Sequence, residues 1–297
     1  MSTTEDKVQV LQIIAGLAIG EPLGGAELFG AELVRHFNQD RCSPTLCAFW
    51  RRGGKAEEHW RKRLTDAGVK TFFATDYDGQ FNLVKFLKGV REVASSLNSS
   101  RVDVIHSHFQ VGSIAALLLQ KELSARAVVR TDHIALEWGP TLPGFICRQI
   151  FTKWVFPFAF DAEAAVSRAI KRQLDSRPGA RVRNTGSVFI PNGIALDRFS
   201  NSVSFPIDEL NDLGVLPRKT IIGSVGRLTR QKGYRYLLDA LPTVLAAEPD
   251  TSVIIVGDGE LREDLQNRAA QLGLAEHVYF LGPRQDVESL LKTMDLF

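Results

Sequence analysis

Short apolar runs alternate with amphipathic stretches along nearly the whole chain, and this alternation narrows the available folds more than any other feature. Residues 8–14 read as a buried strand, and a glycine-bearing loop follows over 16–25. Residues 26–37 then place Leu28, Ala31, Leu33, Val34 and Phe37 at helical spacing. The pattern recurs, with strand-like runs at 44–49, 69–73, 102–105, 127–131, 164–167 and 188–190. Helical stretches lie between them at 55–67, 81–97, 113–123, 144–158 and 168–176. Strands alternating with helices pair in parallel, because each parallel pair needs a crossover and the crossing helices cover both sheet faces.

Residues 191–219 break this rhythm. They are rich in Asn, Ser, Asp and Pro, their periodicity is weak, and they read as an interdomain connection. Strands then return at 220–225, 252–256 and 278–281, with helices at 234–247, 261–272 and 287–294. The expected fold class is therefore α/β with two Rossmann-like domains. Residues 1–190 form the first and 191–219 the connection. Residues 220–297 form a partial second domain. In a doubly wound sheet of order 3-2-1-4 the fourth strand pairs with the first. Residues 220–225 are accordingly expected as an uncovered apolar edge, with Asp295-Leu296-Phe297 the first step of a further strand.

Composition agrees with this division. A chain of 297 residues suits two cores rather than one. With 44% apolar and 24% charged residues it has the balance of a soluble globular protein. A net charge of +2 gives no electrostatic case for nucleic acid. Two acids precede the first apolar run, unlike the basic start of a signal peptide. No run approaches the ~20 apolar residues that span a bilayer. The expected location is the cytoplasm, at most peripheral at a membrane. Cys42, Cys47 and Cys147 are an odd set without metal-ligand spacing and read as reduced structural thiols.

The strongest chemical signal is Gly226-Arg227-Leu228-Thr229-Arg230-Gln231-Lys232-Gly233, placed where a buried strand ends and a helix begins. Ligands of open α/β sheets bind at that end of the strands. A helix start there offers free N–H groups to an anion, and Arg227 and Lys232 add two cations. The loop suits a pyrophosphate and lacks the P-loop spacing.

Gly226-Arg227 with Lys232-Gly233 resembles the donor-phosphate motif of family-4 retaining glycosyltransferases, which have the two-domain GT-B fold. Other segments resemble that family in the same order: Gly24-Gly25-Ala26-Glu27, Asp103-Val104-Ile105-His106-Ser107-His108, Thr131-Asp132-His133, Ala165-Val166-Ser167 and Ile190-Pro191-Asn192-Gly193 with Phe199. Ile255-Val256-Gly257-Asp258-Gly259 and Phe280-Leu281-Gly282 complete the series.

The resemblance implies a glycosyltransferase that moves a sugar from a nucleoside-diphosphate sugar to an unidentified acceptor with retention. The nucleotide sugar is a substrate, and no cofactor or metal is expected. Donor binding falls to Gly24, Gly25, Arg227, Lys232, Gly233 and Arg284, and the catalytic position near the transferred sugar to His133. Each has a plainer alternative: a tight turn for Gly24 and Gly25, a satisfied core histidine for His133, a solvated cation for Arg284. Ile134 follows His133 where the family more often has an acidic or small residue. His106 and His108 share a face but lack an apparent third ligand, so they read as cleft-edge or packing residues.

The segment 151–160 carries five aromatics and reads as a buried helix end, with an acceptor groove or membrane patch as alternatives. Trp50-Arg51-Arg52 is a second interfacial hint. The family's pair of glutamates eight positions apart is absent, so a non-catalytic binding relative stays open as a reading. A GT-B sugar-nucleotide epimerase is a third.

Overall fold

The computed structural model describes residues 7–19, 24–133, 145–146, 148–216, 218–284 and 286–297. It comprises two compact units, Met1–Gly193 and Ile194–Phe297. The segment 20–23 of the glycine loop, Ile134, Gly144 and Cys147 lie outside the described residues.

The first unit is built on seven strands: β1 (Val8–Ile14), β2 (Cys42–Arg51), β3 (Lys70–Asp76), β4 (Val104–Ser107), β5 (Ala127–Asp132), β6 (Ala162–Ala165) and β7 (Val188–Phe189). Their order is β3-β2-β1-β4-β5-β6-β7, with every pairing parallel. Helices α1 (Gly25–Arg35), α2 (Lys55–Asp66), α3 (Leu83–Leu97) and α4 (Gln110–Glu122) connect the early strands.

β1 is central, and its alternating side chains feed two cores. Leu11 and Ile13 pack with Phe49, Phe86, Ile105 and Leu119, while Ile14 packs with Ala31, Val34, Leu46 and Leu64. α1 lies close enough on β1 that a Cβ at Gly30 would fall 2.5 Å from Ile14 Cγ2. The buried Gln12 amide donates to Gly30 O at 2.6 Å across that contact. Cys42 and Cys47 are free thiols, and burial pushes Cys47 well above the usual thiol range.

The long helix expected over 144–158 takes a different form in its described part. Arg148–Val155 is π-helical and passes into α5 (Phe156–Ala159), whose first turn contains Pro157. Proline has no N–H to give and is accommodated where a helical run restarts. α6 (Arg168–Asp175) and α7 (Pro178–Arg183) follow; α7, for which the sequence pattern gives no expectation, opens on Pro178, a residue suited to the first helical turn.

The second unit holds β8 (Thr220–Val225), β9 (Thr251–Val256) and β10 (Val278–Gly282) in the parallel order β10-β9-β8. β9 is buried along its length. α8 (Leu196–Ser200) and α9 (Ile207–Asp212) precede the sheet; α10 (Tyr234–Ala247), α11 (Arg262–Gln271) and α12 (Val287–Thr293) cover it. Phe205, Leu210 and Val215 are core residues with Ile221, Ile254 and Leu290, so part of the weakly periodic stretch packs into this unit.

The bare edge expected at β8 is partly covered by the chain itself. Leu296 forms a parallel bridge to Ile222, and Gly223 N–H donates to Leu296 O at 2.8 Å. Ile221 N–H donates to Asp295 Oδ2 at 2.8 Å, while Asp295 N–H returns a bond of 2.8 Å to Ile221 O. Gly223 admits this neighbour, since a Cβ there would sit 1.9 Å from Met294 Sδ.

Candidate functional site

The loop between β8 and α10 is held by the loop after β9. Gly226 N–H donates to Val256 O, and Leu228 N–H donates to Asp258 O, both at 2.9 Å. Leu228 O accepts from Leu261 N–H at 3.0 Å, and the Leu228 side chain is fully buried in the core beneath. The two loops approach so closely that side chains would not fit between them. A Cβ at Gly257 would lie 2.1 Å from Gly226 O, and one at Gly259 would lie 2.6 Å from Leu228 O. The buried Tyr234 hydroxyl stands 3.0 Å from where a Gly226 Cβ would be. The Gly257-Asp258-Gly259 clamp was visible in the sequence only as a strand-end glycine pair.

On this anchored backbone the cations stand outward. Arg227, Arg230 and Lys232 are exposed, and no described residue lies within ion-pair or hydrogen-bond reach of their side-chain charges. Arg230–Lys232 forms one 3₁₀ turn, and Gly233 follows in the left-handed region at φ 70°, which directs the chain into α10. The first N–H groups of α10 thus lie next to Lys232, with positive partial charge from the helix start added to the side-chain charges. Arg227, Lys232 and Gly233 occupy one loop. Arg230, present in the motif but not singled out from sequence, adds a third cation to it.

Arg284, in the same unit, has a different environment. Its Nε and Nη2 donate to Asp286 Oδ1 and Oδ2 at 2.8 and 2.5 Å, and its guanidinium lies 5.3 Å from the centre of the Phe205 ring. The hydrogen bonds that its guanidinium donates to Asp286 raise its pKa above the usual arginine value.

In the first unit, Gly24 precedes α1 with an extended backbone at φ −126°, and its N–H donates to Glu27 Oε2 at 3.1 Å. A Cβ at Gly25 would meet nothing within 4 Å. Neither glycine uses the left-handed region. The N–H of Gly24, just before the helix, is thus taken by the chain's own carboxylate.

His133 follows β5 and is half-buried. Its Nε2 is 3.1 Å from His108 Nδ1, and the two ring centres are 5.4 Å apart. The His106 ring centre lies 4.2 Å from that of His108, and His106 Nε2 meets Thr131 Oγ1 at 2.8 Å. Phe29, from α1, sets its ring edge against both His108 and His133. His133, which the sequence pattern treats separately, thus joins His106 and His108 because β4 and β5 are adjacent and parallel.

Burial lowers all three pKa values: His106 and His133 fall to about 4, and His108 falls well below the usual histidine range. Repulsion among the rings adds to the burial effect at His106 and His108. Among the described residues no group of His, Cys, Asp or Glu is arranged to hold a metal ion.

The aromatic segment divides between core and surface. Phe156 and Phe160 are buried and Phe151 packs against the same core, whereas Trp154 and Phe158 are half-exposed. Phe145, Ile146 and Ile150 are likewise exposed. Trp50 is a core residue rather than an interfacial one, and Arg51 and Arg52 lie over the Phe73 and Tyr77 rings. No helix among the described residues is long and apolar enough to cross a membrane.

Comparison with known proteins bears on both units. Residues 23–198, more than half of the chain, match the family described as Glycosyltransferase Family 4, and residues 208–297 match Glycosyl transferases group 1. The chain is 25% identical over 238 residues to the UDP-Gal:alpha-D-GlcNAc-diphosphoundecaprenol alpha-1,3-galactosyltransferase of Escherichia coli, covering 78% of this chain and 60% of that protein. It is 28% identical over 229 residues to the phosphatidyl-myo-inositol mannosyltransferase of Mycobacterium tuberculosis, covering 74% of this chain and 54% of that one. The fold is shared with Anabaena HepE, solved in complex with UDP and glucose. The TM-score is 0.71 at 21% identity, with 97% of this chain and 72% of that chain covered.

Proposed function

The chain belongs to glycosyltransferase family 4, and from that premise we propose that the whole protein transfers a hexose from a nucleoside-diphosphate sugar to an acceptor with retention at the anomeric carbon. The observation that carries this reading is the loop after β8. Three outward cations without partners among the described residues and a helix start lie on one clamped backbone. Such a site is organised for a diphosphate before the ligand arrives.

The bond between the anomeric carbon and the diphosphate oxygen breaks with its electron pair leaving on the diphosphate. Arg227, Lys232 and the N–H groups following Gly233 stabilise that growing charge, a kind of preorganisation worth ~2.7–4 kcal/mol per donor in measured analogues. Among the described residues none stands out as a nucleophile. The acceptor oxygen therefore attacks an oxocarbenium-like centre from the face the diphosphate leaves, and its proton passes to a diphosphate oxygen. His133 orients the transferred sugar.

UDP is the natural first donor nucleotide to test, since HepE was solved with UDP. The acceptor is proposed to be lipid-linked, as the names of the galactosyltransferase and mannosyltransferase relatives indicate for those proteins. The protein works on the cytoplasmic side, with weak attachment of the first unit to the membrane surface. The exposed apolar residues Phe145, Ile146, Ile150, Trp154 and Phe158, with the exposed Lys153, support that attachment.

Calorimetric titration with UDP tests the donor reading. Arg227→Ala is expected to weaken binding about 10- to 150-fold, the range for one charge-assisted hydrogen bond of ~1.5–3 kcal/mol. Unchanged affinity in that variant would remove the assignment.

A further inference from the structure

The histidine cluster holds more information than the presence of His133 at a strand end. Nε2 of His133 is engaged by His108 Nδ1 at 3.1 Å, so Nδ1 is the ring nitrogen left to meet a ligand. His108 is almost fully buried, and its Nε2 has no hydrogen-bond partner among the described residues. Burial keeps both rings neutral at ordinary pH, so each carries one proton and a single proton lies between Nδ1 of His108 and Nε2 of His133.

Two arrangements satisfy that count. In one, His133 donates from Nε2. His108 then carries its proton on Nε2 and leaves a buried N–H with no acceptor among the described residues. In the other, His108 donates from Nδ1 and its Nε2 is a bare lone pair, while His133 carries its proton on Nδ1. Orphaned buried N–H groups are rarer than orphaned acceptors in folded proteins, and the second arrangement avoids one.

We propose that His108 is a positioning residue that fixes His133 as the Nδ1–H tautomer, so that His133 meets its ligand as a hydrogen-bond donor and selects an oxygen acceptor such as a sugar hydroxyl. The ligand half of this proposal rests on the function proposed above, while the tautomer half concerns the protein alone. The geometry is held from three sides. His108 N–H donates to Ile13 O at 3.1 Å, the Phe29 edge packs on both rings, and His106 lies beside His108 with its own Nε2 committed to Thr131. His133 therefore acts as an oriented neutral donor and not as a general base.

The test is a long-range proton–nitrogen correlation spectrum of the chain with ¹⁵N-labelled histidine at neutral pH, without ligand. His133 signals are assigned by their loss in His133→Gln. The expected result is a protonated Nδ1 and an unprotonated Nε2 for His133. His108→Phe removes the donor while keeping a ring in the core, and is expected to shift His133 toward the Nε2–H form that an unconstrained imidazole favours. His108→Gln, whose amide can donate toward the same nitrogen, is expected to restore the Nδ1–H form. A wild-type His133 protonated on Nε2 would overturn the proposal, whatever the variants do. So would an Nδ1–H form that persists unchanged in His108→Phe. The functional reading is tested separately by UDP titration of Arg227→Ala, so the two can fail independently.

Discussion

A single methyl group at Gly259 puts the clamped phosphate loop to a direct test. The Cβ of Gly259→Ala would lie 2.6 Å from Leu228 O and 2.8 Å from both Leu228 C and Leu228 N, whereas ordinary contact begins at 3.4 Å. All three neighbours are backbone atoms, so no rotamer change relieves the overlap and the two loops must separate by roughly 0.8 Å, the shortfall from ordinary contact. The hydrogen bonds Leu228 N–H to Asp258 O and Leu261 N–H to Leu228 O lie in the path of that separation.

Overpacking of this kind costs ~1–3 kcal/mol, and two weakened hydrogen bonds add about 1 kcal/mol. A loss of about 2–4 kcal/mol in the second unit follows. Because the displaced residue carries the Arg227–Lys232 loop, UDP affinity is expected to fall about tenfold or more even where the protein remains folded. Urea titration gives the stability change and calorimetry the affinity. Gly186→Ala, whose Cβ would meet only side-chain atoms at 3.8 and 3.9 Å, is the matched control and should leave both unchanged. Wild-type stability together with wild-type UDP affinity in Gly259→Ala would refute the idea that close backbone contact positions the loop.

Lys232→Ala should weaken UDP binding while changing the urea midpoint by no more than about 0.5 kcal/mol in stability, since exposed surface charges away from packed features contribute little. The histidine cluster makes the first unit sensitive to acid. Folded pKa values below the unfolded value mean that neutral rings contribute stability above about pH 6.5, and that this is lost as pH falls toward about 4. His106 alone accounts for a loss on the order of 3 kcal/mol, read from urea titrations between pH 7 and pH 4.5. Asp295→Ala removes the carboxylate that accepts from Ile221 N–H and should lower second-unit stability by about 1–2 kcal/mol in the same assay. Trp154→Glu together with Phe158→Glu should abolish co-sedimentation with vesicles of phosphatidylcholine and phosphatidylglycerol; equal sedimentation of variant and wild type would count against the membrane-surface reading.

Much of the architecture was legible because local pattern and burial point the same way. The strand Thr220–Val225 and the helix Tyr234–Ala247 lie where periodicity puts them, since an apolar run bounded by glycine and a one-sided Leu pattern have few other stable solutions. The cation loop was also legible, because Gly226 to Gly233 stand together in sequence and a strand-to-helix turn keeps them together in space. The helix α7 was not legible in the pattern, although Pro178 suits its first turn. Phe205, Leu210 and Val215 lie in a stretch too short and mixed to show a period, and their burial comes from packing on the second sheet.

By itself, then, the sequence determined the alternation of strands and helices, the parallel class of sheet and the place of the phosphate loop, all of which depend on neighbours within a few residues. The tertiary structure decided what depends on strands far apart in the chain. Adjacent parallel pairing of β4 and β5 carries His133 to His108 across 25 residues, and their mutual burial leaves them neutral. The close approach of the loops after β8 and β9 turns Gly257 and Gly259 from turn residues into the contact that holds Leu228. The return of Leu296 to Ile222 partly covers the edge of β8. Each of these depends on distance in space and exclusion of water, which side-chain periodicity does not encode.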